Sequence, residues 1–226
     1  SGDWITLSGA TSGNPTTGET QNVTFNISVN PSSSLRSGEI AVRAGDKTDG
    51  PIGTIKVSQK ASTLTVSGNP TTLAATKDAN GTLSIKGTSG LPFSVTKPDW
   101  LILTGSIPET TNGGDQSFGY KTSEVNLNST DISGDITVTA GSIEKMVTVQ
   151  QSGSTFEVSA TELSLAETAS SGSITVKGTN GLPWTVNPGE ETNGITPAIV
   201  SSTANGTDQI LTFNATKNTG SARSAT

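Results

Sequence analysis

Lys86-Gly87-Thr88-Ser89-Gly90-Leu91-Pro92-Phe93-Ser94-Val95 returns, lightly edited, as Lys177-Gly178-Thr179-Asn180-Gly181-Leu182-Pro183-Trp184-Thr185-Val186. The second block begins 91 residues after the first. A match this close marks a copied structural unit, and that spacing is the size of one small β-sandwich domain. Within the block, Leu91 precedes Pro92 and is pushed into extended geometry, so the Leu-Pro pair leads into a strand.

Reading outward from the first block, residues 62–152 form a complete unit. Alternating apolar positions mark eight short strands. They are centred on Leu64/Val66, Leu73/Ala75, Leu83/Ile85, Phe93/Val95, Leu101/Leu103, Phe118/Tyr120, Ile136/Val138 and Val147/Val149. Turn residues separate them at Gly68-Asn69-Pro70, Asn80-Gly81, Ser89-Gly90, Asn112-Gly113-Gly114, Ser133-Gly134 and Ala140-Gly141-Ser142. Short strands at this density predict an antiparallel sandwich.

The flanks carry parts of the same pattern. In residues 1–61, Asp3-Trp4-Ile5-Thr6-Leu7 parallels Asp99-Trp100-Leu101-Ile102-Leu103. Ser37-Gly38-Glu39-Ile40-Ala41-Val42 parallels Ser133-Gly134-Asp135-Ile136-Thr137-Val138, and Val57-Ser58-Gln59 parallels Val149-Gln150-Gln151. Residues 153–226 carry the opening strands, the Leu182-Pro183-Trp184 block and Leu211-Thr212-Phe213-Asn214, and stop where the penultimate strand should begin. The expectation is half a unit, one unit and most of a unit. With no initiator Met and no leader-like apolar segment, the chain reads as an interior piece of a longer protein. The closing strands of residues 1–61 could complete residues 153–226 of another copy, giving head-to-tail self-association.

Composition narrows the function. The 226 residues are 30 % hydrophobic and 4 % aromatic, rich in Gly and poor in helical periodicity, which favours thin all-β domains. A net charge of −6, with recurrent alternating runs, counts against disorder. Thirteen basic residues scattered among nineteen acidic ones do not make a nucleic-acid surface. No apolar run approaches membrane-spanning length. The chain has neither Cys nor His. Disulfides, thiolate metal sites, the usual general base and every Ser-His-Asp or Cys-His arrangement are therefore excluded.

What remains is a short set of candidates. Trp4, Trp100 and Trp184 could stack on sugar rings, although Trp100 and Trp184 lie in alternating apolar strands and read first as core. Tyr120 alternates with Phe118 and reads as core with its hydroxyl at the rim. Acid pairs occur at Asp46/Asp49, Asp131/Asp135 and Glu190/Glu191, but adjacent or turn-borne acids are ordinarily solvated rather than paired across a cleft. No calcium-type loop is present, and Gly45-Asp46-Lys47-Thr48 lacks the glycines and helix of a phosphate loop. No catalytic residue, metal site or cofactor is expected.

The opening Leu/Val strand, the Ser173-Ile174-Thr175-Val176 strand, the Gly-Leu-Pro-Trp/Phe block, the Asp-Trp step, the Ser-Gly-x-Ile-x-Val strand and the closing Val147-Thr148-Val149-Gln150-Gln151-Ser152-Gly153 together resemble the BACON family. These are immunoglobulin-like domains typical of Bacteroidetes surface proteins. The resemblance implies tandem immunoglobulin-like sandwiches and a non-catalytic role: spacing or presenting other domains of a longer protein, with weak binding of glycan or mucin. Two alternatives are a dedicated carbohydrate module using an exposed Trp, and a phage or surface-appendage element that exchanges strands. It implies an extracellular site on a Gram-negative outer membrane, or else a virion surface. Residues 153–226 depart from the pattern, with Asn187-Pro188-Gly189-Glu190-Glu191 after Val186 and no Asp-Trp step.

Overall fold

The computed structural model describes residues 3–9, 12–13, 19–45, 50–187 and 193–225. The described residues are all β, with no helix. Asp46, Asp49, Glu190 and Glu191 lie outside them.

In the middle stretch, β5 (Leu64–Asn69), β7 (Asn80–Gly87), β10 (Asp115–Thr122) and β9 (Leu101–Thr104) form one four-stranded sheet in that order. The facing sheet runs β6 (Thr72–Leu73), β12 (Ile143–Gln151), β11 (Ile132–Ala140), β8 (Phe93–Thr96). All pairings are antiparallel except β6 with β12, which is parallel. Period-two alternation sends one face of each strand inward. Leu83 and Ile85 of β7, Leu101 of β9, Phe118 and Tyr120 of β10, Ile136 and Val138 of β11 and Val149 of β12 fill one core between the sheets. This is a closed sandwich.

Three expected turns proved to be strand. Gly68 and Asn69 end β5, Asn80 and Gly81 begin β7, and Ser133 and Gly134 lie inside β11. Gly81 is needed for room rather than for a turn: a Cβ there would meet the Tyr120 ring at 2.6 Å. The ring fills the layer that a side chain at 81 would occupy, and its hydroxyl donates to the Pro70 carbonyl. Gly134 makes room in the same way for Pro98 and Trp100.

The first stretch holds β1 (Ile5–Ser8) paired with β2 (Thr24–Ile27), and β3 (Arg36–Arg43) paired with β4 (Ile52–Gln59). Their registers repeat those of the middle stretch. Ile5 faces Ile27 and Leu7 faces Phe25, as Leu101 faces Thr122 and Leu103 faces Tyr120. Ile40 faces Ile55 as Ile136 faces Val147. Among the described residues of this stretch no strand takes the places of β5, β7 and β8. Phe25 is 40 % and Val42 47 % exposed, where Tyr120 and Val138 are 0 %.

The third stretch has the opposite composition. β13 (Phe156–Val158), β14 (Ser170–Gly178), β18 (Gln209–Ala215) and β16 (Ile195–Pro197) form a full four-stranded sheet. Among the described residues, β15 (Pro183–Thr185) and β17 (Ser201–Thr203) form a second, two-stranded sheet in this stretch. Gly172 faces Phe213 and Ile174 faces Leu211, as Gly81 faces Tyr120 and Leu83 faces Phe118.

Candidate functional site

The three tryptophans occupy different settings. Trp4 precedes β1 and is half-buried, with the Arg36 guanidinium 4.5 Å above its ring. This cation–π contact covers one face of the indole. Trp100 is also half-buried and packs against the middle core beside Gly134. Trp184 is 8 % exposed within β15, and its ring centroid lies 6.3 Å from that of Phe156. No Trp among the described residues stands out as an open stacking platform. The position of the missing Asp-Trp step holds Asn193-Gly194, and the Arg223 side chain lies against Gly194, as Arg36 lies over Trp4.

Among the described acids, Asp131, Asp135 and Asp78 bond mostly to neighbouring side chains. Asp131 accepts from the Gln150 amide and from the Gly153 N–H, both at 2.8 Å. Asp135 accepts from the Thr148 hydroxyl at 2.6 Å. The Asp78 carboxyl is held below the usual carboxylate range, first by its hydrogen bond to Lys121. Burial raises the Tyr120 phenol above its ordinary value. Among the described residues no cluster of three metal-type ligands occurs.

The most developed polar construction lies at the two junctions between stretches. Asn30, 2 % exposed, donates through its amide to the carbonyls of Ser34 at 2.8 Å and Lys60 at 3.0 Å. Its side-chain oxygen accepts from the Ser32 N–H, and its own carbonyl accepts from the Ser62 hydroxyl at 2.5 Å. Asn126 repeats every bond. Its amide donates to Thr130 at 2.9 Å and Ser152 at 3.0 Å, its oxygen accepts from the Asn128 N–H, and its carbonyl accepts from the Ser154 hydroxyl at 2.5 Å. Each asparagine thus ties three elements: its own loop, the end of the closing strand, and the first residues of the next stretch.

Further contacts lock the same joints. Thr63 and Thr88 exchange bonds just as Thr155 and Thr179 do. The Pro31 carbonyl accepts from the Ser142 N–H at 2.8 Å, and a Cβ on Gly141 would collide with that carbonyl. Val29 packs on the middle core and Val125 sits against Gly181. Sequence reading passed over the asparagines, although Val29-Asn30 with Ser62-Thr63 and Val125-Asn126 with Ser154-Thr155 were there to be matched.

Residues 1–60 match the family model described as "BACON: Putative binding domain, N-terminal". Over that segment the chain is similar to the BACON family. No curated protein matches the chain. Among solved structures, an endo-fucoidan hydrolase, MfFcnA4 of glycoside hydrolase family 107, and a point variant of it are similar at 16 % identity. The alignments cover 95 % of this chain and 34 % of theirs, with TM-scores of 0.32 and 0.31. The chain thus spans about a third of those proteins' length, and likeness at that level carries no argument about fold or activity here.

Proposed function

We propose that this chain is a non-catalytic run of tandem immunoglobulin-like repeats that spaces and presents other domains of a longer surface protein. The repeats divide at 61/62 and 152/153, at the outer surface of a Gram-negative cell. The observation that carries the reading is the duplicated asparagine joint. Four residues lie between β4 and β5 and four between β12 and β13, which leaves little slack, and a buried amide bonded to both sides of a joint resists bending. The function of such a run is reach at fixed orientation.

Glycan or mucin recognition is the second reading, and it rests on Trp4. Only that tryptophan lies in the segment matched to a family described as binding. Trp4 is half-buried, with the Arg36 guanidinium over its ring. Tryptophan fluorescence titrated with mucin and a polysaccharide panel separates the two. Spacing alone gives no saturable change down to millimolar affinity, about −4 kcal/mol. Saturable binding lost in Trp4→Ala would make this a recognition module instead.

A further inference from the structure

The sequence holds five Asn-Gly steps, beginning at Asn80, Asn112, Asn180, Asn193 and Asn205. Such a step can close on itself, because no side chain hinders the glycine nitrogen as it approaches the asparagine Cγ. The fold treats the five differently. Asn112-Gly113 and Asn205-Gly206 lie in equivalent loops, ahead of β10 and β18. In both, the asparagine Oδ1 accepts from the N–H two residues on: from Gly114 at 2.8 Å and from Thr207 at 3.0 Å. The Thr207 hydroxyl donates to Asn205 as well, at 2.8 Å. Donors on Oδ1 draw charge onto that oxygen and make Cγ more electrophilic, as an oxyanion hole does for a reacting carbonyl. Both asparagines and both following glycines are exposed, and among the described residues the Gly113 and Gly206 N–H groups donate to no backbone carbonyl.

The other steps are held back. Asn80 is fixed in the extended geometry of β7, which points the next N–H away from its own side chain, and Gly81 is buried against the Tyr120 ring. The Gly181 N–H donates to the Ala204 carbonyl at 2.8 Å, which restrains the nitrogen that would have to attack. The Asn193 amide donates to the Ser224 carbonyl at 2.6 Å. Asn30 and Asn126 accept at Oδ1 just as Asn112 does, but Pro31 has no N–H and Leu127 is bulky.

We propose that Asn112 and Asn205 are self-modifying sites, each cyclising onto the glycine that follows. At the first, the Gly113 nitrogen gives up its proton and bonds to Asn112 Cγ. The Cγ–Nδ2 bond breaks, and the side-chain amide leaves with that proton as ammonia. Solvent water then adds across one of the two C–N bonds of the five-membered imide. One opening gives aspartate; the other gives isoaspartate, with an extra carbon in the main chain. Overall an amide and a water become a carboxylic acid and ammonia, with no oxidant or enzyme required. Both sites adjoin a joint. Thr111, beside Asn112, donates its buried hydroxyl to the Thr88 carbonyl, and the Thr88 N–H donates to Thr63 at 3.0 Å. Ala204, beside Asn205, accepts from Gly181, and the neighbouring Thr179 N–H donates to Thr155 at 2.9 Å. Each conversion therefore places a new carboxylate at the joint-facing pole of its repeat and marks the age of the chain. The proposal is independent of the spacer and glycan readings.

The test ages the purified chain in mildly alkaline buffer and follows each asparagine by peptide mass mapping, with isoaspartate labelled by a protein isoaspartate methyltransferase. Asn112 and Asn205 are expected to convert at least about tenfold faster than Asn80 and Asn180, yielding both isoaspartate and aspartate. In denaturant the four rates should converge. No conversion, equal rates at the four positions in the folded chain, faster loss at Asn80 or Asn180, product without isoaspartate, or a preference that survives denaturant would overturn it.

Discussion

Asn30 and Asn126 show how a single buried amide can set a joint. A side-chain amide offers two donors and one acceptor with two lone pairs, and here both donors and the oxygen are used within a buried pocket. Removing the amide of Asn126 would strand the carbonyls of Thr130 and Ser152 in that pocket. Each buried polar group left without a partner costs about 1–3 kcal/mol. Asn126→Ala is therefore expected to lower stability by about that amount, roughly 4–8 °C in Tm for each kcal/mol in a unit of this size. Calorimetry checks this, and an unchanged Tm would mean the amide bonds contribute nothing net. Tyr120 makes the complementary point about space. Its ring is accommodated only because position 81 has no side chain, and the same glycine recurs as Gly172 opposite Phe213.

At the level of elements, β6 exists where β12 exists. Its two residues are held by the Gln150 N–H on the Thr71 carbonyl and the Ser152 N–H on the Leu73 carbonyl. The Gln151 amide, buried beside it, donates to the Ala75 carbonyl at 2.9 Å and the Glu124 carbonyl at 3.0 Å. Hydrogen exchange should therefore show the amides of Gln150 and Ser152 strongly protected, and those of residues 161–166 exchanging within the earliest time points. Equal protection of both loops would contradict this dependence. The eight strands of the middle stretch were legible because each buries every second residue, and alternation survives in sequence. The edges of strands were less legible. Asn80-Gly81 and Ser133-Gly134 have turn chemistry, and their real role, making room for Tyr120 and for Pro98 with Trp100, depends on residues far away in sequence. The asparagine joints were hidden for the same reason. A composition rich in Asn, Ser and Thr gives no local sign of which amide is buried.

At the scale of the whole molecule, a closed sandwich in the middle stretch is tied to the strands on either side by duplicated asparagine junctions. The three tryptophans differ by local packing: Trp4 and Trp100 are half-buried, and Trp184 is 8 % exposed. Trp4 lies under the Arg36 guanidinium, whereas Trp184 packs against Phe156. Two features follow from low charge and the absence of Cys and His: little to steer a charged partner, and no nucleophile–base pair of the usual kinds. What the architecture offers is fixed geometry between neighbouring units. The most direct measurement is pulsed electron paramagnetic resonance between spin labels at Thr54→Cys in β4 and Lys145→Cys in β12, in a background with no other thiol. The account predicts a narrow distance distribution that broadens in Asn30→Ala. A broad distribution in the chain that keeps Asn30 would contradict it, because the joint would then be a hinge and the molecule a string of independent domains.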